Sequence, residues 1–204
     1  MIEQNRNQLR EDRELYRGKA QAGDTASQLN LARVLFHQVF LYKTVPLFRD
    51  SADDLFKMTQ EAEAERYLNL AVAQNFAPAV TYQQCRRRQY GEGGWPDVKD
   101  VKMLEEASEK EPHAKYLLAK YVYQPGSRSA DPEVDRGWAA YLYYEAASAG
   151  DMDALVELKK LRRSDFHTNF FGIIDSYPKN MSGLDILSAT ERQRRSVCSD
   201  EYRN

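Results

Sequence analysis

The residues best suited to catalysis do not converge. Three histidines, His37, His113 and His167, share no metal-ligand spacing. No Gly-rich phosphate cradle precedes a Lys-Ser or Lys-Thr pair, and no Gly-x-Ser-x-Gly elbow occurs. Cys85 is the one conceivable thiol nucleophile, and no base can be paired with it. The acidic pairs Asp53-Asp54 and Glu105-Glu106 read as turns or solvated faces. Catalysis needs converging groups, so the expectation is a chain that is not an enzyme and uses no cofactor or metal. Cys85 and Cys198 make no disulfide framework. Pairing needs close backbone approach, and they are read as two unpaired thiols.

Recognition chemistry is what remains. Arg86-Arg87-Arg88 is a short basic cluster with Tyr82 and Tyr90 nearby, a pattern that can touch nucleic acid. The chain as a whole is balanced, however, with a formal charge of -2. Such a balance gives no steering toward a polyanion, and no nucleic-acid partner is expected. At 204 residues the chain fits one domain or one short repeat array. No apolar run approaches the roughly 20 residues of a membrane span. The first six residues lack the apolar stretch of a secretion signal. Two expectations follow: a cytoplasmic chain, or an exported one whose leader has been removed.

Elements that position side chains for recognition must be helices. Strand alternation and Asn-Gly or Asp-Gly hairpin turns are missing, whereas helical periodicity is widespread. Leu29, Leu31, Ala32, Leu35, Phe36 and Val39 fall on one stripe, as do Tyr67, Leu68, Ala71 and Val72. Leu117, Leu118, Tyr121 and Val122 form a third, and Leu142, Tyr143, Ala146 and Ala147 a fourth. About eight helices are expected, most of roughly 10 to 16 residues. Pro78 and Pro112 should open helices, because proline is tolerated in a first turn. Loops rich in Gly, Pro and Asp are read at 91–97 and 125–132, with a further long loop from Lys43 to Thr59.

Four short breaks, at Gly23, Asn75, Lys110 and Gly150, repeat one pattern. Three residues before them stand Ala20, Val72, Ala107 and Ala147, and seven before stand Tyr16, Leu68, Met103 and Tyr143. Four after stand Ser27, Ala79, Ala114 and Ala154, and eight after stand Leu31, Gln83, Leu118 and Leu158. Small residues recur where helices must cross closely. The anchors are 52, 35 and 40 residues apart, a helical-hairpin unit near 35 lengthened by insertions. A single hairpin cannot bury its apolar face, so such units stack into a superhelix with a concave wall.

The segment from Tyr143 to Ala154 resembles the "WYxKAAxxGxxxA" signature of the Sel-one-like repeats, a subgroup of the tetratricopeptide-type hairpins. The segment from Tyr16 to Gly23 is similar to the same box. The run from Tyr90 to Asp97 resembles the family's Gly-rich loop. Gln83, Asn75 and Lys110 depart from the family pattern. The resemblance covers roughly residues 10–163. It implies an all-α, right-handed solenoid of helical hairpins over residues 1–163, with a non-repeat extension at 164–204. It also implies a binding scaffold without catalysis. Small bacterial members of this family include immunity proteins that neutralise phospholipase toxins delivered by contact-dependent secretion, the type VI system among them. The expectation drawn is an inhibitor of one secreted antibacterial toxin enzyme. Such toxins act outside the cytoplasm, which favours a periplasmic location. The alternative is an intracellular adaptor or assembly factor that bridges two proteins.

In this geometry the first helix of each hairpin lines the inner wall. Projection by six and nine residues from the small position four after each anchor reaches Arg33 and Phe36, Cys85 and Arg88, Lys120 and Tyr123, and Lys160 and Arg163. Five of these eight are basic and two aromatic, a mixture favoured at interfaces and complementary to an acidic partner surface. Trp95, in the Gly-rich loop, either anchors that loop or is presented as a contact. Phe166, Phe170, Phe171, Ile173 and Ile174 lie beyond the repeats. They either cap the last hairpin or insert into the partner; solenoid ends need caps, which favours the first. The candidate partner-binding set is therefore Arg33, Phe36, Arg88, Trp95, Lys120, Tyr123, Lys160, Arg163, Phe170 and Phe171.

Overall fold

The structure, a computed structural model, describes residues 2–45, 53–89, 98–123, 128 and 132–163. These residues form eight helices and no strand. They are α1 (Ile2–Gln21), α2 (Thr25–Thr44), α3 (Asp53–Ala73), α4 (Ala77–Gln89), α5 (Val98–Ser108), α6 (Pro112–Tyr121), α7 (Pro132–Ser148) and α8 (Met152–Arg163). The fold is all-α. Several helices exceed the expected length: α1 and α2 have 20 residues and α3 has 21. Part of the length of α2 and α3 comes from the read loop between Lys43 and Thr59, both of whose ends are helical.

The chain falls into two compact units, divided between Gln83 and Gln84. In the first, α1 and α3 both pack on α2. The buried stripe of α2 is Leu29, Leu31, Ala32, Leu35, Phe36 and Val39, joined by Val34. It faces Ala64, Tyr67, Leu68, Ala71 and Val72 of α3. Arg17 of α1 donates two hydrogen bonds to the Glu63 carboxylate on α3, at 2.9 and 3.0 Å. In the second unit, α6 packs between α5 and α7, and α7 packs on α8. Its core is built on Leu104 and Ala107 of α5, Leu117 and Leu118 of α6, Ala140, Tyr143 and Ala146 of α7, and Leu155 and Leu158 of α8.

Three of the four anchors end their helices in the same way. Gly23, Asn75 and Gly150 have φ of 93°, 54° and 97°. At each, the residue after the anchor donates its N–H back five positions: Asp24 to Lys19 O, Phe76 to Ala71 O, and Asp151 to Ala146 O. The anchor itself donates back three, to Ala20, Val72 and Ala147. This is the Schellman closure, which satisfies the last carbonyls of a helix and requires a left-handed residue. Lys110 stands apart, with no six-to-one bond. Its neighbour Glu111 donates only to Ala107 O, four residues back. A lysine enters the left-handed region at a cost that glycine avoids. Pro112 then opens α6, and Pro78 is the second residue of α4.

The small positions flanking the anchors are all buried: Ala20, Val72, Ala107 and Ala147 before, Ser27, Ala79, Ala114 and Ala154 after. A Cβ at Gly150 would meet no atom within 4 Å, so only its backbone conformation resists substitution. Gly150→Ala is expected to cost about 1–2 kcal/mol of unfolding free energy. Asn75→Gly should leave stability unchanged or raise it. Urea unfolding of both variants checks the pair, and an equal loss in each would show that φ is not the cause.

Candidate partner-binding surface

Arg33 lies on α2, partly exposed, with its guanidinium 5.4 Å from the centroid of the Tyr82 ring. Phe36 does not present itself to a partner. It is 2% exposed, with its ring 6.3 Å from Tyr82, and belongs to the core of the first unit. Its expected outward placement is corrected by the α2 stripe itself: residues 29, 32, 36 and 39 share one helical face, and that face is inside. Cys85 is likewise buried, not on a wall, and it is disulfide-bonded rather than a free thiol. The chain's other cysteine, Cys198, lies outside the described residues. So do Trp95, Phe170 and Phe171, as well as the side chains of Arg88 and Arg163.

The second unit brings Lys120 and Tyr123 into one neighbourhood at the end of α6. Lys120 donates to the Tyr116 hydroxyl at 2.6 Å, and its ammonium sits 5.1 and 5.5 Å from the Tyr116 and Tyr121 ring centroids. Burial alone would depress the ammonium, but the Tyr116 hydrogen bond and the nearby Glu157 outweigh it and raise its pKa. The group therefore stays cationic at neutral pH. Burial raises the Tyr116 and Tyr143 phenols, so both remain neutral there. Lys160, on α8, is exposed and pairs with Glu157 at 2.8 Å. Helices α2, α6 and α8 thus carry cations at Arg33, Lys120 and Lys160.

An aromatic cluster adjoins Tyr123, and sequence reasoning missed it. Trp138 stands 6.3 Å from Tyr123 and 6.0 Å from Tyr141, ring centroid to centroid. Arg128 covers Tyr123 at 5.6 Å and donates to Glu105 at 3.2 Å. Val134, Trp138 and Tyr141 are 46%, 52% and 40% exposed. Their spacing of i, i+4, i+7 is a legible signal: α7 carries a second apolar stripe besides the one that packs inward.

A buried polar cluster lies beside α6. His113 is the second residue of α6, and its Nδ1 donates to Asp151 Oδ2. Both side chains are almost fully buried. Asp151 Oδ1 accepts from Ala154 N at 2.7 Å, capping α8. Glu111 caps α6, and burial raises its pKa while the His113 backbone hydrogen bond opposes the rise. The arrangement ties the start of α6 to the start of α8. Its groups are engaged in capping and pairing, which is structural chemistry.

Among the described residues no three His, Cys, Asp or Glu side chains group as metal ligands. None of the described helices is long and apolar enough to cross a membrane. No family model, curated protein or solved structure matches the chain.

Proposed function

We propose that this chain is a protein-binding scaffold of Sel-one-like helical hairpins, and that it serves as an immunity protein. It binds one secreted antibacterial toxin enzyme of the phospholipase type and blocks its active site or its dimerisation. The observation that carries the reading is the recurrence around the four anchors. Buried small residues flank each break, and three of the breaks share one left-handed closure. Repeated hairpins of this kind suit a stacked array, whose use is an extended binding wall. The cations Arg33, Lys120 and Lys160 on α2, α6 and α8 fit a partner with an acidic contact surface.

The disulfide at Cys85 supports a periplasmic location. Disulfides persist in oxidising compartments and are rare in the cytoplasm. An intracellular adaptor is the weaker reading on that ground.

The test is a capture experiment with this chain as bait, against lysate and secreted fractions of toxin-producing neighbours. A Lys120→Glu/Lys160→Glu variant runs beside it. The expected result is recovery of one secreted lipase-like enzyme, with capture weakened at least about tenfold by the double charge reversal. Recovery of several cytoplasmic proteins, or of none, would sink the immunity reading.

A further inference from the structure

We infer that the exposed aromatic face of α7 seats the same face of a second copy of this chain, in an antiparallel pair with two-fold symmetry. The inference stands independently of the immunity reading.

Three observations lead there. First, α7 is apolar on two sides. Ala139, Ala140, Tyr143, Ala146 and Ala147 are buried within the unit, while Val134, Trp138 and Tyr141 are left substantially exposed. A helix on a protein surface ordinarily carries one apolar stripe, and an exposed second one marks an interaction site.

Second, the stripe holds both a knob and a hole. Gly137 lies three residues after Val134 and four before Tyr141, so it shares their face. A Cβ added at Gly137 would meet no atom within 4 Å. Glycine weakens a helix interior relative to alanine, and the packing of the chain on itself does not demand it here. A second helix in close approach does, because the missing side chain leaves room for a ring. Trp138 and Tyr141 are the rings beside that gap, and they meet each other edge to face at 85°. A projection and its recess on one surface are what a two-fold interface needs, since one patch then serves both partners.

Third, the charges along the stripe match in the antiparallel direction. Arg128 lies toward its N-terminal end. The Arg128 backbone N–H donates to Asp135 Oδ2 at 3.0 Å, and its guanidinium covers Tyr123, the neighbour of Trp138. Glu145 continues the stripe four residues beyond Tyr141, about 10 Å along the axis from Trp138. With Trp138 set against Tyr141 of the second copy, antiparallel helices bring Glu145 of that copy level with Val134, beside Arg128. A parallel pair would instead set Arg128 against Arg128 and Glu145 against Glu145, which like-charge repulsion opposes. Within its own chain Arg128 pairs with Glu105 at 3.2 Å, and Glu145 with Lys115 at 3.3 Å. The contact between copies extends these pairs, and it fixes direction more than it adds strength.

The area sets the strength. A whole aromatic side chain buries about 150–250 Å², and Trp138 and Tyr141 are 52% and 40% exposed. The stripe therefore falls short of the about 800 Å² per partner of a standard interface. The pair is a weak one, with a Kd in the micromolar range.

The experiment is sedimentation equilibrium of the full chain from about 1 to 300 µM, a range that brackets such a Kd. The expected result is a reversible monomer–dimer equilibrium. Trp138→Glu and Gly137→Gln should each raise the Kd at least about tenfold, with helix content by circular dichroism unchanged. Trp138 is half-exposed and Gly137 has free space around it, so neither change threatens the fold. Arg128→Glu alone should weaken the dimer several-fold. Adding Glu145→Arg should restore it to within about twofold, although Glu105 and Lys115 then face like charges in their own chain. Only a contact between copies gives that rescue. A chain that stays monomeric over the whole range overturns the inference. So does a dimer whose Kd ignores both Trp138→Glu and Gly137→Gln, and absence of the charge-swap rescue overturns the antiparallel pairing. Failure of the toxin-capture experiment would leave these outcomes untouched.

Discussion

Phe36→Ala is expected to lower the unfolding free energy by about 3–5 kcal/mol, the loss typical of removing a buried phenyl ring from a packed core. Phe36 is 2% exposed among Leu31, Leu35 and Val39 of its own helix and Tyr82 of α4. The truncation removes apolar area and leaves a void that neighbouring helices fill only in part. The folded fraction should capture partner as well as the unaltered chain does, because nothing of Phe36 faces outward. Urea unfolding followed by circular dichroism gives the first quantity, and capture normalised to folded protein gives the second. A loss below about 1 kcal/mol together with abolished capture would return Phe36 to a binding wall.

The contrast between Phe36 and Lys120 shows what the sequence could reveal. Both were reached by one projection rule, counted from the helix breaks. Lys120 lands half-buried at the end of α6, where a hydrogen bond to Tyr116 holds its ammonium beside two rings. Phe36 lands in the core because α2 buries an unusually wide face, from Val34 through Phe36 and on to Val39. Fixed offsets place a residue around a helix, and they do not say how wide a stripe its neighbours cover. The breaks themselves were legible for a firmer reason. A left-handed residue followed by a capping aspartate is a local requirement of the backbone, and Gly23-Asp24 and Gly150-Asp151 meet it without help from tertiary contacts.

Long-range partnerships were not legible. The disulfide state of Cys85 is one that spacing alone does not report. Trp138 was overlooked because α7 was read for its inward stripe only. The pairing of His113 with Asp151 crosses 38 residues, close to one repeat length. Each residue alone has an ordinary local role, one near a helix start and one as a cap. Only the stacking of α6, α7 and α8 makes them neighbours.

That pairing carries the other large expected effect. His113→Ala should destabilise the chain by about 1–3 kcal/mol, the cost of leaving a buried acceptor without its donor. Asp151 cannot escape the consequence by turning away, because its other oxygen accepts from Ala154 N at 2.7 Å and caps α8. The Oδ2 left without its ring donor would stay buried, with the half-buried Glu111 carboxyl adding like charge nearby. Asp151→Asn should cost less, since the amide keeps an oxygen for the cap. The two effects should not add. A double-mutant cycle of His113→Ala with Asp151→Asn is expected to return a coupling above about 1 kcal/mol, as for groups in one buried network. Additivity within error would mean that each residue acts alone, His113 through the packing of its ring against Tyr116, centroids 4.8 Å apart, and Asp151 through its cap. A strong coupling instead makes the His113–Asp151 contact the clamp that holds the first turns of α6 and α8 together, and with them the relative placement of Lys120 and Lys160.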